Sequence, residues 1–243
     1  MTGRRDEIAA GLSAVRRRIA AAAESCGRDP AELTLVVVTK TFPVDDVGHL
    51  LALGVRDVGE NRDQEAGPKY AMVHERWPAE AAGVTVHFIG QLQTNKAGSV
   101  AGYADVVHAV DRAKLARALD RSAAGRVGPG RRPLRVLVQV SLDPPGTAGR
   151  AGVPVAAAEE LADLVEACPQ LELGGVMGVA PLGGDPDRAF ARLREASVAI
   201  RSRHPQADWI SAGMSGDLEA AVRNGATHLR VGSAILGSRA SLL

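Results

Sequence analysis

Leu33-Thr-Leu-Val-Val-Val-Thr39, followed at once by Lys40-Thr-Phe-Pro43, is the stretch on which the reading of the fold turns. It is a near-continuous β-branched run, and runs of this kind are buried on both faces, as in parallel sheets. Upstream, Ile8, Leu12, Val15 and Ile19 recur at spacings of three and four, so residues 4–25 read as a helix, with Gly27 as its stop. Downstream, strand-length apolar runs at 56–59, 84–89, 104–110, 134–142, 171–179, 208–211 and 227–231 alternate with helical patterns at 44–53, 61–74, 112–124, 154–167, 186–203 and 216–224. Pro43, Pro154 and Pro186 stand near helix starts, and Gly54 and Gly225 just past helix ends. With the first run that makes eight strands, each followed by a helix or helix-like segment, which predicts a closed (β/α)8 TIM-type barrel. The competing architecture is an open doubly wound sheet, but no Gly-x-Gly-x-x-Gly follows the first strand. The whole chain, 1–243, reads as one barrel domain with the helix at 4–25 packed on it. Residues 123–133 and 143–150 read as surface loops, the second a mobile one.

The bulk numbers agree with this and exclude other classes. Apolar residues make up 46% of the 243, enough for a sizeable core, and aromatics only 3%, so Ala, Val and Leu must fill it. A net charge of +1 removes any bulk electrostatic case for nucleic acid or an anionic membrane. Arg16-Arg17-Arg18 lies in a helical pattern and reads as a solvated face. Cys26 and Cys168 are far apart and outside any metal-ligand spacing, as expected of two thiols in a reducing compartment. No apolar run approaches the roughly 20 residues that span a bilayer, and the first residues lack the apolar centre of a secretion signal, so a cytoplasmic protein is expected.

In such a barrel, ligands bind at the C-terminal ends of the strands. The polar residues there are Thr39-Lys40-Thr41, Gly59-Glu60-Asn61, Gly90-Gln91-Leu92-Gln93 with Asn95-Lys96, His108 and Asp111, Gln139 and Ser141, then Ser211 through Asp217, and Arg230-Val-Gly-Ser233. Gly213-Met-Ser-Gly216 opens one helix and Gly232-Ser-Ala-Ile-Leu-Gly237 a second. Glycines let the backbone approach a ligand and helix N-termini present free N–H groups, so two such loops after strands seven and eight point to a phosphate. Lys40 follows an apolar run directly. Burial disfavours an ammonium, and a lysine so placed forms Schiff bases with aldehydes. Position alone equally suits a charged strand end that reaches water or pairs with Glu60.

These residues resemble a known family. Val37-Val-Thr-Lys40-Thr-Phe-Pro43, Gly59-Glu-Asn61 with Gln64-Glu65 and Lys69, and His87-Phe-Ile-Gly90 with Leu92-Gln-Thr-Asn-Lys96 are similar to segments of the pyridoxal phosphate homeostasis proteins, the YggS/PROSC group. Val110-Asp-Arg112, Gln139-Val-Ser141, Met177-Gly178, Gly213-Met-Ser215 with Asp217, and Arg230-Val-Gly232 with Gly237-Ser-Arg239 continue the likeness from about residue 8 to about residue 239. The resemblance implies a barrel like the N-terminal domain of alanine racemase (fold type III), without its second domain. It implies pyridoxal 5′-phosphate held as a Schiff base on Lys40, with Met214, Ser215, Gly232 and Ser233 at the phosphate, Asn61 near the ring, and Arg230 facing the pyridine nitrogen. Gln91, Ser141 and Ser233 stand where the family often has His, Asn and Thr, all polar-for-polar exchanges.

The resemblance also implies a protein that carries and buffers the cofactor in vitamin B6 and amino-acid homeostasis. A racemase needs acid–base groups on both faces of the cofactor. The tyrosines, Tyr70 and Tyr103, and the six histidines read as packing residues instead, so no enzyme is expected. The alternatives are a low-activity racemase or lyase dependent on the cofactor, and a phosphate-ester-binding barrel without it. Expected partners are the cofactor itself, amino acids and cofactor-free enzymes that receive it, with the chain a monomer and no metal, nucleic acid or membrane involved.

Overall fold

Each of the eight apolar runs forms a strand: β1 (Thr34–Val38), β2 (Asp57–Glu60), β3 (Thr85–Phe88), β4 (Val106–Val110), β5 (Leu134–Gln139), β6 (Leu171–Met177), β7 (Trp209–Ser211) and β8 (His228–Val231). All pair in parallel with their sequence neighbours, and β8 returns to β1 through Thr34 opposite His228 and Val36 opposite Arg230. The barrel is therefore closed, as predicted. These are features of a computed structural model, which describes residues 3–126, 133–144 and 151–237. Most of the expected loops at 123–133 and 143–150, and Ser238 and Arg239 of the last quoted motif, lie outside those residues.

The helices are α1 (Arg4–Ser25), α2 (Val44–Ala52), α3 (Asp63–Arg76), α4 (Pro78–Ala81), α5 (Ala97–Tyr103), α6 (Ala113–Ala123), α7 (Ala158–Glu166), α8 (Pro186–Arg203), α9 (Leu218–Arg223) and α10 (Ser233–Leu236). Gly54 (φ 80°) and Gly225 (φ 89°) take the left-handed conformation expected after α2 and α9. Several boundaries move. The strand expected at 134–142 ends at Gln139, with Val140 keeping only a single bridge to Val153. Helix α3 begins two residues late because Arg62 is extended (φ −130°, ψ 110°). Helix α5 was not foreseen: Ala-Gly-Ser-Val-Ala-Gly-Tyr is short and carries two glycines, so its periodic signal is weak.

Valines such as Val37, Val58, Val107 and Val136 join the layer between strands and helices, which buries most of the apolar side chains. Helix α1 joins the same core through Ile8, Leu12, Val15 and Ile19, each stabilising by about 1.5–3 kcal/mol if fully transferred from water. Gly11 lets α1 lie directly on α10: a Cβ there would meet the Ile235 carbonyl at 2.6 Å. Arg4 fastens the contact, donating to Asp46 Oδ2 at 2.7 Å and the Leu236 carbonyl at 2.9 Å. Inside the barrel the apolar cluster is small, Ala109, Leu137 and Met177 with Val179 and Trp209 against it. Branched aliphatics usually fill such a barrel; here the buried side chains also include His87, His108, Ser211, His228 and Arg230.

Candidate functional site

The strand end that carries Lys40 is held by α3 through Lys69. On one side, the Lys69 ammonium donates to the Thr39 carbonyl at 2.9 Å and to Glu60 Oε1 at 2.8 Å, and the Thr39 hydroxyl donates to the same Oε1 at 2.8 Å. Tyr70 Oη lies 3.0 Å from that hydroxyl. On the other side, the Thr41 backbone helps to hold the Glu65 carboxyl below its ordinary range. Glu65 and Lys69 are one helical turn apart, which is why one face of α3 reaches both flanks. Next to Lys40, Thr41 has φ 65°, the one non-glycine in the left-handed region among the described residues. Such strain persists only where surroundings hold it, and it concentrates at functional sites. Burial pushes the Glu60 carboxyl up, against the opposing pull of Lys69, and the Arg62 guanidinium chiefly holds the Glu65 carboxyl down.

Lys40 itself lies in the turn two residues past the end of β1. Val36 and Val38 share a sheet face with Gly59, where a Cβ would lie 3.2 Å and 3.5 Å from them. The half-buried Lys40 has no hydrogen bond or ion pair among the described residues. The pairing with Glu60 that position left open does not occur: Lys69 and Thr39 share its Oε1, and its Oε2 is buried without a partner among the described residues.

The neighbouring strand end brings the remaining residues. Gly232 lies against β1, where a Cβ would meet the Val38 carbonyl at 3.0 Å. Ser233 Oγ is 3.3 Å from Ser215 Oγ, so the loops after β7 and β8 bring their hydroxyls together. Gly213 (φ 87°) turns the chain at the start of the loop after β7, its carbonyl accepting the Arg230 N–H at 2.9 Å. Met214 is present differently: its N–H is taken by Asp217 Oδ1 at 2.6 Å and its side chain is exposed. Asn61 stands at the end of β2, packed so closely under Gly90 that a Cβ there would meet the Asn61 carbonyl at 2.4 Å. Its Oδ1 is buried without a hydrogen-bond partner.

Arg230 is buried inside the barrel and donates to Ser211 Oγ at 2.6 Å and to the Gly178 carbonyl at 3.0 Å. Desolvation pulls its guanidinium down to about 10, partly offset by Asp217, so it remains a cation at neutral pH. Beyond it a polar chain descends the interior: Ser211 Oγ to His108 Nδ1 at 2.9 Å, His108 Nε2 to His87 Nδ1 at 2.9 Å, and His87 Nε2 to Asp57 Oδ1 at 3.0 Å. From sequence, both histidines lie within strands and read as packing residues. Only strand pairing reveals that they line up behind Arg230. Arg18 was also missed: while Arg16 and Arg17 are exposed, Arg18 turns to Glu219 at 2.8 Å and donates to the Ser215 carbonyl at 3.2 Å, supporting the loop after β7. Nothing in a run of three arginines distinguishes the third.

Comparison with known proteins gives a consistent result. The family model described as "Alanine racemase, N-terminal domain" matches residues 11–240. A protein of Mycobacterium tuberculosis named pyridoxal phosphate homeostasis protein is 44% identical over 97% of this chain and 94% of its own length. The structure of PipY from Synechococcus elongatus with PLP bound superposes with a TM-score of 0.77 at 32% identity, over 95% of this chain and all of that one. Alanine racemase from Corynebacterium glutamicum, at 15% identity and a TM-score of 0.64, shares the barrel over 93% of this chain and 61% of its own. The chain belongs to the family of the alanine racemase N-terminal domain and, within it, to the pyridoxal phosphate homeostasis proteins.

Proposed function

We propose that this chain holds pyridoxal 5′-phosphate on Lys40 and carries the cofactor, releasing it to amines and to cofactor-free enzymes, rather than running a reaction with it. The observation that carries this reading is the hold of α3 on Thr39 through Lys69, which leaves the neighbouring Lys40 amine without a partner among the described residues. The name of the mycobacterial relative and the bound PLP in the Synechococcus structure support it.

The residues fit the group. Its aldehyde takes an amine, and Lys40 offers one at the barrel mouth. Its phosphate needs donors, which the Ser215 and Ser233 hydroxyls, the backbone after Met214 and that at Gly232 would supply. Asn61 brings a buried acceptor that otherwise has no partner, and burial of such an atom is costly unless it is met. Arg230 would face the ring nitrogen: a guanidinium donates there but hardly gives up a proton, so it leaves the ring a weak electron sink.

Neither tyrosine supplies a second base. Tyr70 is buried and shares a hydrogen bond with Thr39 behind the strand, and burial drives its phenol far above the ordinary value; burial, then the charge of Asp63, does the same at Tyr103. This supports a carrier over a racemase. The reading takes 1–243 as one barrel domain, working as a cytoplasmic monomer in vitamin B6 and amino-acid homeostasis. No helix among the described residues is long and apolar enough to cross a membrane. The test is the absorbance band of the lysine-bound aldehyde after loading with pyridoxal 5′-phosphate: Lys40→Ala should abolish it, and a band that survives overturns the assignment.

A further inference from the structure

The polar chain through the barrel has only one arrangement of hydrogens that leaves no atom unmatched. The Arg230 guanidinium can only donate, so Ser211 Oγ accepts from it. At the far end the Asp57 carboxylate can only accept, so the proton between it and His87 sits on Nε2. A neutral His87 then accepts at Nδ1, which requires His108 to carry its hydrogen on Nε2 and to accept at Nδ1. The Ser211 hydroxyl hydrogen fills that last acceptor. Four bonds thus point the same way, from a cation near the lysine-bearing mouth to an anion at the opposite one. Reversing the middle bonds would add a proton to the pair of histidines and leave the Ser211 hydrogen aimed at nothing.

His87 and His108 are wholly buried and Asp57 is partly exposed. Adding charge to buried imidazoles is costly, and burial, then neighbouring His87 and Arg230, pulls His108 well down. A single-direction chain polarises each successive bond. It also gives Arg230 a fixed acceptor where no carboxylate lies within ion-pairing distance among the described residues.

We propose that Asp57 is a positioning residue for Arg230: it locks His87 and His108 as Nε2–H tautomers, and these in turn orient Ser211 so that the guanidinium stands fixed toward the cofactor ring. This rests on the cofactor reading for the last step alone. The chain of tautomers is a property of the protein without cofactor.

The test has two arms. In cofactor-free protein labelled with ¹⁵N-histidine, the imidazole shifts of His87 and His108 should report neutral Nε2–H rings. A neutral Nδ1–H form at either position overturns the proposal, whatever becomes of the cofactor assignment. In Asp57→Ala, His87 should show mixed tautomers. After loading with pyridoxal 5′-phosphate, that variant should release the cofactor roughly three- to tenfold faster, the worth of one hydrogen bond, with a displaced absorbance band. Asp57→Asn retains an acceptor oxygen and should stay within about twofold of the parent. A change in melting temperature with tautomers, band and release all unmoved in Asp57→Ala would make Asp57 merely structural and overturn the proposal.

Discussion

The two ends of the barrel treat their polar groups in opposite ways. The end opposite Lys40 holds the roomier cleft, about 520 Å³ lined by Asp57, Asp105, Arg126, Arg135, Glu172, Trp209 and His228, against about 380 Å³ beside Asn61. Yet its charges are matched to one another. Arg135 pairs with Glu172 and lies 4.3 Å over Trp209, which stacks on His228 at 3.8 Å; Arg126 reaches Asp105 at 3.5 Å. At the Lys40 end, among the described residues, the amine has no partner, Asn61 Oδ1 has none, and two serine hydroxyls meet only each other. Room is therefore a poor guide here. A site built for a ligand is marked by groups placed at a cost and left for something else to satisfy.

The comparison can be broken at either end. The largest effect expected short of losing Lys40 comes from Lys69→Met. Lys69 and Glu60 are 9% and 0% exposed, and removing one partner of a buried pair costs about 3–5 kcal/mol. Chemical denaturation should show that loss, together with looser cofactor retention because Thr39 has lost its grip. Unchanged stability would mean that the clamp does not hold the strand end. Next, Ser215→Ala or Ser233→Ala should weaken retention by about 1.5–3 kcal/mol, as for hydrogen bonds to a charged group. The double variant should fall short of the sum because the hydroxyls are neighbours; dialysis of the loaded proteins measures this, and full retention in both singles would remove the cradle.

A pH dependence separates the ends further. Burial first, then His87, pulls His228 from its ordinary value to about 3. The unfolded chain binds that proton below about pH 6.5 and the folded chain does not, so stability is complete above that value and falls as the pH drops toward 3. The slope is up to about 1.4 kcal/mol per pH unit. Denaturation of His228→Gln at pH 7 and pH 5 should show a shallower fall than the parent. The smallest effect belongs to Glu172→Gln. That pair is 28% and 37% exposed, so its loss should cost below about 1 kcal/mol and leave cofactor retention unchanged. A drop in retention would place function at the wrong end.

The barrel was legible because β-branched runs and helix-length patterns alternate eight times, and because Gly54 and Gly225 punctuate the helices as the turns require. Lys40, Ser215 and Ser233 were legible because each ends a strand or opens a loop at the mouth. What lay hidden depends on distance along the chain. Glu65 and Lys69 appeared only as helical spacing, yet Lys69 holds the backbone beside Lys40 through the Thr39 carbonyl, a group that any residue at 39 would present. His87, His108 and Asp57 sit in three different strands, and nothing short of the barrel register joins them. Met214 shows the converse: a loop position that sequence groups with Ser215 has its N–H already spent on Asp217.

The most direct test of the central claim is to load the protein with pyridoxal 5′-phosphate, reduce it with borohydride, and locate the modified residue by peptide mass. The account predicts one stable adduct on the peptide containing Lys40, absent in Lys40→Ala. An adduct on Lys69 or Lys96, or none at all, would contradict it.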